Sequence, residues 1–77
     1  MAQTRGTAVD ELVAYAEHQH GAVKLKLVAI ATYLAPATLA NDSMAHFVYK
    51  QLPTHVQRKL PNAAAAIVQS FPDFMLP

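Results

Sequence analysis

The sequence predicts an all-α fold, a bundle of four or five short helices, on three observations. Apolar residues recur at helical spacing along most of the chain, alanine and leucine dominate those stretches, and Leu-Pro or Phe-Pro pairs punctuate the second half. Proline lacks an N–H and disfavours the α region for the residue before it. Leu52-Pro53, Leu60-Pro61, Phe71-Pro72 and Leu76-Pro77 therefore mark expected helix boundaries, and the residue before each proline can turn into the core.

Residues 1–6 carry no periodic pattern and are expected to fray. Thr7 is a good N-cap, Asp10 follows three residues later in the manner of a capping box, and Glu11 also suits the positive end of a helix. Val9, Leu12, Val13 and Ala16 then fall on one face, and Gly21 supplies a stop, which predicts a helix over 8–20. In 22–35 two patterns compete: Val23 to Leu27 alternates as a strand does, while Leu27, Ile30, Ala31 and Leu34 repeat as a helix does. An uninterrupted length that ends at Pro36 favours the helix, so the first two helices should form an antiparallel hairpin about Gly21.

The stretch 36–40 reads as a connector. Asn41, Asp42 and Ser43 form an N-cap cluster, and Met44, Phe47, Val48 and Leu52 follow at helical spacing, predicting a helix over 43–51. Thr54 should cap a short helix that turns Val56 and Leu60 inward and His55, Arg58 and Lys59 outward. Asn62 should cap the last helix, in which Ile67, Val68 and Phe71 form the apolar stripe. The end of the chain, 71–77, is too apolar for a solvated tail and is expected to act as a docking hook.

Composition bounds the function. The chain has 77 residues, the size of one small domain whose core is marginal and for which oligomerisation is a common remedy. Apolar residues make up 53% and charged residues 14%, against about 25% charged in an average soluble domain. Part of that apolar excess is expected to meet another chain. The longest uncharged apolar run, 27–40, is shorter than the roughly 20 residues that a membrane-spanning helix needs and contains Pro36. Without cysteine no disulfide can form, and a soluble cytoplasmic protein is the expectation.

Four histidines raise the question of a metal. His18 and His20 are two apart, whereas a helical zinc pair stands four apart, and they suit the last turn of the first helix, where a histidine can bond free carbonyls. His46 and His55 belong to different predicted elements. No metal and no cofactor is assigned. Two separated glycines cannot build a phosphate loop, and Thr7, Ser43 and Thr54 are better used as caps than as nucleophiles, so the chain is not expected to be an enzyme.

The leading expectation is a small non-enzymatic interaction or regulatory protein that binds another protein and forms a homodimer, with Tyr33, Phe71, Phe74, Met75 and Leu76 as interface residues. The alternative is a DNA-binding transcriptional regulator. Asp10, Glu11 and Glu17 make the first twenty residues acidic, while Lys24, Lys26, Lys50, Arg58 and Lys59 face one acid, Asp42, over 24–59. The DNA surface would use Lys50, His55, Arg58 and Lys59, joined by Lys24 and Lys26. Two helices about Gly21 share the outline of a helix-turn-helix. In detail Glu17 occupies its small-residue position, His20 an apolar one, and the second helix offers no Asn, Gln or Arg for base contacts.

Overall fold

A computed structural model describes residues 2–36 and 39–71, and the described part is all-α. Its helices are α1 (Ala2–Ala16), α2 (Gly21–Leu34), α3 (Leu39–Lys50), α4 (Thr54–Gln57) and α5 (Pro61–Ser70). The stretch whose pattern was divided between strand and helix is helical. Residues 72–77, which include Phe74, Met75 and Leu76 of the expected hook, lie outside the described residues.

Hydrogen bonds between distant residues fix the topology. Arg5, near the start of α1, donates Nη1–H to the Leu34 carbonyl at the end of α2 (3.2 Å) and Nη2–H to Asp42 Oδ1 near the start of α3. Ser70 Oγ, at the end of α5, donates to the other oxygen of the same carboxylate at 2.6 Å. Four helix ends thus meet around the Arg5–Asp42 pair. Toward the opposite end, Glu11 of α1 reaches the start of α5: its Oε1 accepts the Ala63 N–H at 3.0 Å, and its Oε2 accepts the Asn62 N–H and side-chain amide at 3.3 and 3.0 Å. The chain therefore runs up, down, up and down. α1 packs on α2 and α5, and α3 on α2 and more lightly on α5, while α4 links the end where α3 stops to the start of α5.

The core is Leu12, Leu27, Ile30, Leu34, Tyr49, Leu52, Val56, Leu60 and Ile67, with buried alanines from four of the helices allowing close approach. Leu52 and Leu60 are buried, and α5 begins at Pro61, as the proline pairs predict. Val56 is buried while His55, Arg58 and Lys59 are exposed, also as predicted. Tyr49 and Gln57 close the α3–α4 corner: Tyr49 Oη–H donates to the Gln57 carbonyl (3.1 Å), and Gln57 Nε2 donates to the carbonyls of Tyr49 (3.2 Å) and Leu52 (2.9 Å). Gln57 thereby adds a donor to the Tyr49 carbonyl, which also accepts the Leu52 N–H, and satisfies the Leu52 carbonyl just past the end of α3.

Several boundaries correct the local reading. Helix α1 begins at Ala2 and not near Thr7, because the Arg5 contacts tie its first turns to α2 and α3. It stops at Ala16, where the backbone bonds tighten to His18 N–H to Tyr15 O and Gln19 N–H to Ala16 O. His18 and His20 thus follow the helix, and His20 holds the N-cap position of α2 without a side-chain cap bond. Gly21 has φ +64°, the left-handed conformation in which glycine carries no Cβ penalty, and it forms the corner between the two helices. Helix α3 begins at Leu39, so Asn41, Asp42 and Ser43 lie within it, and Asp42 is drawn inward by Arg5 and Ser70. Pro53 and Leu60, not Thr54 and Asn62, hold the N-cap positions of α4 and α5. For α5 the capping acceptor comes from Glu11 across the bundle.

The inward face of α3 is also shifted. It is Asp42, Ala45, Tyr49 and Leu52 that are buried, whereas Met44 and Phe47 face solvent, Phe47 being 62% exposed. Both stripes have helical spacing, and the bonds made by Asp42 and Tyr49 select the second.

Candidate interaction surfaces

Two surfaces stand out, one apolar and one cationic. The apolar one is a groove of about 440 Å³ between α1 and α2, walled by Val9, Val13, Ala16, Val28, Ala31 and Ala35, with Glu17 and Lys24 at one end and Thr32 along the rim. It exists because Leu12 of α1 and Leu27 and Ile30 of α2 point into the bundle, while the small buried Ala16 and Ala31 form its floor and Val9, Val13, Val28 and Ala35 its sides. Val13, expected in the core, is 47% exposed, as is Val28, and Leu25 one turn earlier on α2 is 72% exposed. Thr32 directs its hydroxyl to the Val28 carbonyl (2.9 Å), which leaves the rim short of free polar groups.

The cationic surface follows from the topology. The start of α2, the end of α3 and all of α4 share one end of the bundle, so Lys24, Lys26, Lys50, His55, Arg58 and Lys59 are brought to that end. All are exposed except Lys26, which is half-buried. Arg5, the remaining cation, is at the other end beside Asp42.

The described interface candidates behave differently. Tyr33 and Phe71 are half-buried and pack against the bundle's own core, and the Phe71 ring stacks on His46 with centroids 4.9 Å apart and planes at 20°. Burial, with the nearby Lys50 charge second, holds the His46 imidazolium below the ordinary histidine range. Burial, with the Glu11 charge second, pushes the Tyr49 phenol up to about 12. Both shifts belong to the frame of the bundle and not to an open cleft.

Among the described residues no group of three or more His, Cys, Asp or Glu side chains could hold a metal ion, and no helix is long and apolar enough to cross a membrane. The groove escaped sequence reading because Val9 and Val13 sit at the same helical spacing as the true core positions. Only the identity of the neighbouring helix separates wall from core. Comparison with protein-family models, with curated proteins and with solved structures finds no match.

Proposed function

We propose that this chain is a small non-enzymatic protein that works by binding another protein through the α1–α2 groove, and that its first partner is a second copy of itself. The observation that supports the reading is the apolar lining of the groove, in which Val13 and Val28 are exposed, with the exposed Leu25 one turn along α2 from Val28. Single exposed apolar residues are ordinary on protein surfaces, but a contiguous set along a concave groove marks an interaction site. Small size adds weight, since a 77-residue chain buries a limited share of its surface and gains stability by association.

Sedimentation equilibrium tests the reading with the wild-type protein and a Leu25→Glu/Val28→Glu variant. Both positions are exposed and outside the core, so the variant should keep its helical circular dichroism. The expected result is a wild-type mass of twice the 8.4 kDa monomer and a monomeric variant. Equal masses for the two proteins would reject the groove as the contact.

A further inference from the structure

The cationic end carries more than its charge. The chain has six Lys and Arg residues, and five of them, Lys24, Lys26, Lys50, Arg58 and Lys59, lie at the α4 end. Among the described residues none of those five has a carboxylate within ion-pairing distance. Two of the acids have other partners: Asp42, at the far end, serves Arg5 and Ser70, and the Glu11 carboxylate, near this end, is taken up by the N–H groups at the start of α5. Glu17 is the exposed acid near this end. Five cations gathered from three elements outnumber these two acids, Glu11 and Glu17, and form an anion-binding surface.

Beside them stands an aromatic that the bundle does not use. Phe47 is 62% exposed and precedes Lys50 by three residues, so both side chains lie on the same outward face of α3. A π-face next to unpaired cations suits a polymer whose phosphates meet the cations while a base stacks on the ring. The cations come from the ends of several elements and not from a row along one helix, so no helix presents a set of contacts that would follow the groove of a duplex.

We infer that the α4 end of the bundle binds single-stranded nucleic acid, with Lys26, Lys50, Arg58 and Lys59 on the phosphates and Phe47 stacked on a base. The site is separate from the α1–α2 groove apart from Lys24, which borders both. Recognition is through the phosphodiester backbone and a base face, features shared by DNA and RNA single strands.

Fluorescence anisotropy tests this with labelled oligo-dT and oligo-U of about 12 nucleotides, a length within the range of known single-strand sites, and with a duplex of equal length. With these four cations engaged, affinity for the single strands should fall about fiftyfold between about 50 and about 200 mM salt. Arg58→Glu/Lys59→Glu should weaken binding at least about tenfold and flatten the salt dependence while the helical spectrum is kept. Phe47→Leu, which keeps apolar bulk but removes the ring, should weaken binding about tenfold, and Phe47→Trp should restore it. Equal affinity for oligo-dT and oligo-U supports backbone and stacking recognition, and a preference for oligo-U supports it with an added 2′-hydroxyl contact. No binding at low salt overturns the proposal, as does binding unchanged by the charge reversal. Tighter binding to the duplex together with indifference to Phe47→Leu overturns the single-strand assignment.

Discussion

Replacing Asp42 with Ala removes the acceptor of Arg5 Nη2 and Ser70 Oγ in one step, at the point where the ends of α1, α2, α3 and α5 meet. The cost follows from what each partner is left with. The Arg5 side chain is 23% exposed and keeps its bond to the Leu34 carbonyl, so its stranded guanidinium can still reach water; the Asp42 side chain is 8% exposed, so removing Arg5 leaves a carboxylate in a poor solvent with Ser70 alone. Breaking a buried pair costs about 3–5 kcal/mol, which sets the expectation for Arg5→Ala, and partial exposure reduces Asp42→Ala to about 2–4 kcal/mol. In a domain of this size each kcal/mol lowers Tm by about 4–8 °C. The double variant should cost less than the two single variants together, by about 1.5–3 kcal/mol, because neither charge is then stranded. Urea denaturation followed by circular dichroism measures all three. Arg5→Ala should also raise amide exchange over residues 2–7 ahead of the rest of the protein, since that contact is what extends α1 past its local caps. Additive single variants, or an Arg5→Ala cost below about 0.5 kcal/mol, would refute the claim that the Arg5–Asp42 pair holds the four ends together.

Three further outcomes follow from the same physics. Glu11→Ala should destabilise the protein by about 1–3 kcal/mol in a denaturant titration, since it removes a cap and a negative charge from the start of α5, and Glu11→Gln should cost about half as much. Tyr49→Phe should cost about 1 kcal/mol at neutral pH by leaving the Gln57 carbonyl without its phenolic donor. Because the folded-state value of Tyr49 is raised to about 12 from 10.0, its contribution is whole below pH 10 and lost as pH rises toward 12, and alkaline melting curves of Tyr49→Phe should lack that loss. His46 is lowered from 6.5, so the unfolded chain takes up its proton first and stability falls as pH drops below 6.5. His46→Phe, which keeps a ring against Phe71, should lessen that acid-side decline in melts between about pH 7.5 and 5.

The proline pairs were the most legible part of the chain, since proline acts on its own neighbours: Leu52 and Leu60 went into the core and α5 opened on Pro61. The helix at Gly21–Leu34 was legible for a related reason, a long apolar repeat with a stop. What local reading lost was each residue whose partner is far along the chain. Thr7, Thr54 and Asn62 have the chemistry of caps, yet Arg5 extended α1 past Thr7, and Glu11, 52 residues before Ala63, did the capping of α5. Phe47 fits an apolar stripe by spacing, and it faces outward because Asp42 and Tyr49 set the rotation of α3. The outward direction of Arg58 and Lys59 could be read from the sequence. Their assembly with Lys24, Lys26 and Lys50 could not, because it depends on the up-down-up-down path that the distant hydrogen bonds reveal.

The central claim, that the α1–α2 groove is a protein-binding surface, is tested most directly by photocrosslinking in living cells with p-benzoylphenylalanine in place of Val28, an exposed residue of the groove wall. The same group in place of Ala65, an exposed position on α5, serves as control. Adducts are expected from position 28 at twice the 8.4 kDa monomer mass, with none from position 65. Equal yields from both positions, or none from position 28, would contradict the claim.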